Sequence, residues 1–310
     1  MGKAGKTDGG VSQMIQADNL WKKFGRHEAL RGMSFEVPEG SAFALIGANG
    51  AGKTTTIRIL MNMLEPSGGR SALLGIDSRR LSPRELSRIG YVSPDQHMPE
   101  RLTVAEYLDY LRPFYPTWDP ALEVSIRRQL RLPPGRRIGD LSHGTRMKMS
   151  LACALPFRPK LLILDEPFSG LDPLVRDELM ESLLQQAGEM TVLISSHELA
   201  EIDGAATHVA FMDEGKLMFE ESISDLTGRF REVRVTLEAE ASPPSQIPRD
   251  WLHVRPAGSV LMFVDTQFSE DELGERVRAL IGGVQGIDAR PMPLRSIFTT
   301  LARSARDRTF

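Results

Sequence analysis

Near the start of the chain, apolar and polar residues alternate at the two-residue period of strands, at Met14-Ile15-Gln16-Ala17 and again at Ser34-Phe35-Glu36-Val37. The run Ala42-Phe43-Ala44-Leu45-Ile46 is apolar throughout, as expected of a central strand covered on both faces. It leads into the glycine-rich stretch Gly47 to Thr55, after which Thr56 to Leu64 has a helical period and stops at Pro66, Gly68 and Gly69. Between residues 83 and 157 helical periods dominate, at Pro83 to Arg88, Thr103 to Phe114, Pro120 to Leu132 and Leu141 to Leu155. Pro116, Pro133, Pro134 and Gly135 interrupt them. Buried-strand character returns at Leu161-Leu162-Ile163-Leu164, followed by a predicted helix over Leu174 to Ala187, a strand over Thr191 to Ser195 and a further helix over Glu198 to Gly204.

Such alternation predicts an α/β fold around a mostly parallel sheet, with a helical insertion at about 83–157. After residue 228 the pattern changes. A strand over Glu232 to Leu237, a linker-like Ala241 to Ser245, strands near Trp251 to Val254 and Val260 to Val264, and helices over Asp271 to Ile281 and Leu294 to Arg303 predict a small α+β domain. The expected division is a polar, disordered tail at 1–13, a main domain at 14–228 and an accessory domain at 229–310.

Composition narrows the function classes. The 310 residues are 41% hydrophobic and 25% charged with a net charge of -3, so no overall basic field attracts nucleic acid. The single cysteine, Cys153, has no intramolecular partner and reads as a buried small apolar residue, and Met1 to Gly10 lacks the apolar segment of a secretory signal. A reducing, cytoplasmic setting is expected. No apolar run approaches the length needed to cross a bilayer. Arg127, Arg128, Arg131, Arg136 and Arg137 read as a solvated basic face.

The chemistry concentrates in three segments. Gly47, Gly52, Lys53 and Thr54 meet the P-loop pattern, between the predicted strand and helix that such a loop requires. There, glycines let backbone N–H groups turn towards a phosphate, Lys53 neutralises phosphate charge and Thr54 offers a hydroxyl to Mg²⁺. Second, the strand Leu161 to Leu164 delivers Asp165 and Glu166 to its C-terminal end, where parallel sheets bind ligands. Asp165 suits the metal side and Glu166 suits a group that orients or deprotonates water, although two adjacent acids also suit a helix cap. Third, Ser142 and Gly144 open a predicted helix, a second anion-compatible start.

In order, the P-loop, Leu141-Ser142-His143-Gly144, Leu164-Asp165-Glu166-Pro167, Ser169-Gly170-Leu171-Asp172 and Ser195-Ser196-His197 resemble the ABC (ATP-binding cassette) ATPase family, over roughly residues 14–228. The resemblance implies a P-loop cassette in which the mostly parallel sheet is joined by an antiparallel β subdomain and a helical subdomain. It implies an ATPase that uses ATP and Mg²⁺ and powers a separate transmembrane permease from the cytoplasmic face, with no nucleic acid as partner. Two cassettes, identical or related, would face head to tail, so that Ser142 and Gly144 of one complete the site built on Lys53 of the other. Gly47, Asn49, Gly50, Ala51, Gly52, Lys53, Thr54 and Thr55 would enclose the phosphates, and Thr54 and Asp165 the metal. Phe24, which by itself reads as core packing, would stack on adenine. Asp172 would communicate between sites, and His197 would reach the γ-phosphate beside the catalytic Glu166 and Lys53.

Two departures stand out. His143 and Thr145 replace a glycine and a glutamine of the family's signature, and Pro94 occupies the expected position of the glutamine loop, followed by Asp95 and Gln96. Either Gln96 binds nucleotide and metal through a shifted loop, or that role is altered. Tyr115-Pro116-Thr117-Trp118-Asp119, the single cassette and the short tail resemble export-type subunits of the YtrB-like group. The alternative is an ABC ATPase acting on nucleic acid or ribosomes. DNA-repair members carry a coiled-coil insertion for which the segment between Lys53 and Ser142 is too short, and ribosome-acting members join two cassettes.

Overall fold

The computed structural model describes residues 12–186, 190–202 and 204–307. The tail expected at 1–13 lies, up to residue 11, outside them, and Gln13 already belongs to a strand. The chain forms two compact units, Met1–Glu220 and Glu221–Phe310.

In the first unit β1 (Gln13–Phe24) and β2 (His27–Pro38) form a long antiparallel pair, followed by β3 (Ala42–Gly47) and α1 (Lys53–Leu60). β4 (Gly68–Leu73) and β5 (Ile76–Asp77) extend the antiparallel sheet in the order β2-β1-β4-β5. Next come α2 (Pro83–Leu86), β6 (Ile89–Val92), α3 (Val104–Leu111), α4 (Pro120–Gln129), α5 (His143–Ala154), β7 (Leu161–Asp165), α6 (Pro173–Gln186), β8 (Thr191–Ser196), β9 (His208–Asp213) and β10 (Lys216–Ser222). The second sheet runs β10-β9-β3-β8-β7-β6, and β9, β3, β8, β7 and β6 are parallel.

Every residue of β7 and β8 is buried, the expected state of strands in the middle of a covered parallel sheet. One core joins the two sheets and α1: Ile15, Leu20 and Phe35 from the first sheet, Leu45 and Ile163 from the second, Ile57 and Leu60 from the helix. The helices start where capping chemistry dictates. Thr103 caps α3 in a reciprocal box with Glu106, Asp119 accepts from the N–H groups of Ala121 and Leu122 at α4, and Ser142 accepts from Thr145 at α5.

The segment Tyr115 to Asp119 links α3 to α4 and locks the helical part. Tyr115 stacks on Phe157 with ring centroids 4.0 Å apart, and the Thr117 hydroxyl donates to the Phe157 carbonyl at 2.6 Å. Glu123, 4% exposed, accepts from the Trp118 indole at 3.0 Å and from Arg112 at 2.9 Å. A buried carboxylate needs such partners.

Several readings change. The mainly helical stretch 83–157 contains β6, whose four residues pair with β7 in the sheet. The helix expected over Glu198 to Gly204 is a 3-10 turn, Leu199–Glu201, because the Ser196 hydroxyl accepts from the Glu198 N–H and bonds the Glu201 carboxylate, tying up the first turn. Within the basic cluster Arg127 pairs with Glu123 and Arg131 with Glu178.

The second unit opens with α7 (Ile223–Arg229), then β11 (Arg231–Leu237), β12 (Trp251–Ala257), β13 (Val260–Asp265), α8 (Glu270–Leu280), β14 (Val284–Pro291) and α9 (Leu294–Asp307). Its antiparallel sheet runs β12-β13-β11-β14. Val233, Val235 and Phe263 from the sheet share a core with Leu273 and Val277 of α8. Among the described residues no helix is long and apolar enough to cross a membrane.

The approach of α5 to the sheet depends on Gly90, where an added Cβ would meet Leu162 Cδ1 at 2.7 Å and the Ala154 carbonyl at 3.0 Å. Gly90→Ala is expected to destabilise the first unit by about 1–3 kcal/mol, as overpacking does. Urea denaturation checks it, through a lower midpoint at unchanged slope.

Candidate active site

The turn from β3 into α1 is built around two glycines that no other residue replaces. A Cβ at Gly47 would sit 2.5 Å from the Met212 carbonyl, and Gly52, at φ 105°, would drive one into Leu30 Cδ2 at 2.7 Å and the Ala29 carbonyl at 2.8 Å. The chain is thereby pressed against its neighbours, and Lys53 enters α1 with its ammonium folded back into the loop. Lys53 Nζ donates to the Gly47 carbonyl at 2.6 Å and to the Ala48 carbonyl at 3.2 Å, and lies 2.9 Å from Glu166 Oε1. It is 4% exposed.

β7 and β8 bring the remaining groups. The Ser195 hydroxyl donates to Asp165 Oδ1 at 2.7 Å and accepts the Glu166 N–H at 2.9 Å, so one side chain of β8 holds both acids of β7. Thr54 Oγ1 donates to the same Asp165 oxygen at 3.1 Å. Glu166 stands at φ 49°, in the left-handed region, which turns its side chain between Lys53 and His197. His197 Nδ1 lies 2.7 Å from Glu166 Oε2. Neither acid caps α6, where Asp172 accepts the Val175 N–H at 3.0 Å.

The electrostatics separate the two acids. Burial pushes Asp165 above the usual carboxylate range, with Ser195 and Thr54 opposing and the charge of Glu166 adding to it. Burial also acts upward on Glu166, but the hydrogen bonds from His197 and Lys53 and their positive charges outweigh it and hold the group low. The hydrogen bond to Glu166 raises His197 above an ordinary imidazole. Thr54 and Asp165, two hard oxygen donors in contact, suit Mg²⁺, and a carboxylate kept high by burial and a neighbouring anion is one that a divalent cation would draw back down.

These groups open on a cleft of about 540 Å³ whose walls include Phe24, Asn49, Gly50, Gly52, Lys53, Thr54, Thr55, Asp165 and Glu166. Phe24 corrects its residue-only reading: it is 49% exposed on the cleft wall rather than packed in the core, with Lys22 Nζ 5.0 Å from its ring centre. Ala51 is buried under the loop, and its N–H donates to the Ala48 carbonyl at 3.0 Å. Gln96 does not line this cleft, and its Oε1 is buried with no hydrogen-bond partner. Ser93, Pro94 and Asp95 line it instead.

Ser142 is exposed at the start of α5, its hydroxyl 2.8 Å from that of Thr145. Gly144 lets α5 close on α6, since a Cβ there would meet Val175 Cγ1 at 3.2 Å. His143 Nε2 lies 3.2 Å from the Ser169 carbonyl.

A family model described as ABC transporter matches residues 30–169. YxlF of Bacillus subtilis (strain 168), described as an uncharacterized ABC transporter ATP-binding protein, is 30% identical over 255 residues, covering 81% of this chain and 83% of its own. The chain belongs to the ABC transporter ATP-binding proteins. The ABC transporter ATP-binding protein YtrB of the same organism is 24% identical over 231 residues, 74% of this chain and 79% of its own. A solved structure of the ATP binding subunit of an ABC transporter shares 26% identity at a TM-score of 0.63, covering 69% of this chain and 92% of that one. The chain is thus an ABC cassette in fold and an ATPase in class, with ATP as its ligand.

Sequence reasoning had no roles for Ser195 or Glu201. Ser195 sat in a motif valued only for its histidine, although its hydroxyl organises both acids. Glu201 follows His197 by four positions, and its carboxylate lies within 4.8 Å of the ligand atoms of His197 and Glu166.

The Glu166–His197 pair has a defined pH signature. His197 is raised, so its share of stability is complete below the ordinary imidazole value of 6.5 and is lost as pH rises through its higher folded value. Glu166 is lowered, so its share is complete above the ordinary 4.5 and is lost as pH falls through its lower folded value. The thermal destabilisation caused by His197→Ala is therefore expected to be greatest between pH 4.5 and 6.5 and to shrink above the raised His197 value. A difference in melting temperature that did not shrink as pH rose past the raised His197 value would contradict the pairing.

Proposed function

We propose that this ATPase hydrolyses Mg²⁺-bound ATP between two head-to-tail cassettes and so drives a separate membrane-embedded permease in the direction of export. The observation that carries the chemistry is the convergence of Lys53, Glu166 and His197, with Glu166 held ionised at the mouth of the P-loop cleft. In the proposed roles Gly47 to Thr55 enclose the phosphates, Phe24 stacks on the adenine, and Thr54 and Asp165 hold the cation, which supplies charge neutralisation at the phosphates. An aromatic stack of this kind contributes about 1–3 kcal/mol by analogy with base stacking. Glu166 orients the attacking water and takes its proton, and His197 holds Glu166 on one side while facing the γ-phosphate.

Ser142 and Gly144 are exposed or half-exposed at the start of α5, available to the nucleotide of a second cassette, and Asp172 lies two residues beyond Gly170 on the segment that His143 touches. The expected permease contact lies over residues 95–115. Tyr110 and Phe114 there are 57% and 60% exposed with ring centroids 5.4 Å apart, an aromatic pair suited to burial against a partner. Residues 14–228 would form the motor and 229–310 an accessory domain. The support for export is the likeness of Tyr115 to Asp119 to export-type subunits.

Glu166→Gln is expected to retain ATP and to slow turnover by roughly 10²–10⁴-fold, the scale of a lost general base. Phosphate release from purified protein measures it, and wild-type turnover in the variant would reject the assignment. The same variant, loaded with ATP and used as bait in detergent extracts, should recover a multi-spanning membrane protein. Recovery of ribosomes or DNA-bound proteins would overturn the partner. With that permease in inside-out vesicles, ATP should load cargo into the lumen, and ATP-driven loss of cargo from the lumen would overturn export.

A further inference from the structure

One buried acid near the site has no role in the chemistry above. Glu201 closes the 3-10 turn Leu199–Glu201 and is 7% exposed, yet it does not line the cleft. Its carboxyl group bonds the Ser196 hydroxyl, and a carboxyl oxygen lies within 4.8 Å of a Glu166 carboxylate oxygen and of an imidazole nitrogen of His197. Whatever Glu201 contributes must pass through those neighbours.

Ser196 decides the state of this acid. Its hydroxyl oxygen accepts the Glu198 N–H at 2.9 Å and lies 2.9 Å from the Glu198 carbonyl, which can only accept. A hydroxyl has one proton and two lone pairs. With the proton on the carbonyl and one lone pair taken by the N–H, the second lone pair faces Glu201, and two oxygens in contact need a proton between them. The Glu201 carboxyl supplies it. Burial, joined by the charges of Glu198 and Glu166, raises Glu201 above the usual carboxylate range, against the Ser196 hydrogen bond and the charge of His197.

The same tie sets His197. Ser196 is the last residue of β8, fully buried and in register with Ile46 of β3. Joining Ser196 to Glu201 closes the chain within a single turn, and His197 is the first residue inside it. The charge on Glu201 matters as much as its reach. An ionised Glu201 would raise His197 as Glu166 does, and the imidazole would then be shared between two anions. Glu198, the other acid facing this ring, is 60% exposed and 3.9 Å from Nε2, so water screens it.

We propose that Glu201 is a positioning residue for the reaction, a neutral carboxyl group that anchors the turn bearing His197 and leaves Glu166 without a buried rival for the imidazole. The inference rests on the roles of Glu166 and His197 argued above.

The test is steady-state phosphate release by the full-length protein with Mg²⁺ and ATP, beside side-chain NMR of its histidines, with His197 identified by its loss in His197→Gln. Glu201→Gln keeps a neutral donor of the same length, so it should retain wild-type kcat and leave the His197 titration where it is. Glu201→Leu removes the donor and should lower kcat by about 10- to 100-fold at unchanged KM, the scale of a slightly misplaced catalytic group. Should the leucine variant fail to fold, Ser196→Ala, which removes the acceptor, is expected to show the same loss. A fall in the His197 midpoint in Glu201→Gln, or a kcat as low there as in Glu201→Leu, would make Glu201 an anion and overturn the proposal. A leucine or alanine variant that turns over like wild type, or in which only KM rises, overturns it too. Full turnover in Glu166→Gln would instead overturn the roles on which the proposal rests.

Discussion

An ammonium buried to 4% exposure must be neutralised and hydrogen-bonded where it lies, and Lys53 imposes that demand on everything around it. Its partners come from separate stretches of chain, the Gly47 and Ala48 carbonyls from the loop after β3 and Glu166 from the end of β7. Meeting all of them requires the loop to fold tightly, which Gly47 and Gly52 permit, and requires β7 to end level with it. Parallel pairing of β3 and β7 on either side of β8 supplies that alignment. Removing one partner would leave a charge stranded in the interior, a far larger penalty than any one of these contacts contributes when intact.

The same arrangement holds the chemistry in reserve. Glu166 is divided between an ammonium and an imidazole, so in the proposed mechanism its proton-accepting oxygen is occupied until phosphate oxygens compete for Lys53. The substrate's own charge would then release the group that acts on it. Asp165 is under the opposite influence, because burial and its anionic neighbour make it the group most in need of a cation. Two adjacent carboxylates thus differ through their partners alone, and Ser195 keeps them apart by bonding the side chain of one and the backbone of the other.

Much of this was legible in the residues, and what was not has physical causes. The central strands could be read because runs such as Leu161 to Leu164 have no polar face to confuse the period, and the helix starts at Thr103, Asp119 and Ser142 carry capping side chains. β14 escaped notice because Val284 to Pro291 includes Gly286 and Pro291 and becomes a strand only by pairing with β11, Val233 opposite Ala289. The segment after His197 has helical composition, yet Ser196 diverts its first turn into local side-chain bonds. Motif spacing found Lys53, Thr54, Asp165, Glu166 and His197, which the fold brings together. It led to Gln96, whereas Ser93, Pro94 and Asp95 line the cleft, because which residues of a tight turn face the cleft depends on backbone direction, and residue type alone does not carry that.

Glu166 also occupies a backbone conformation that L side chains resist. At φ 49° it bears a cost of order 1 kcal/mol or more that glycine would escape and asparagine would partly escape. Backbone strain and the need to neutralise buried Lys53 therefore pull in opposite directions at this one codon. Glycine or asparagine there would relax the backbone but strip the buried Lys53 ammonium of its carboxylate, so the strained glutamate is kept by the charge it neutralises as well as by its reaction.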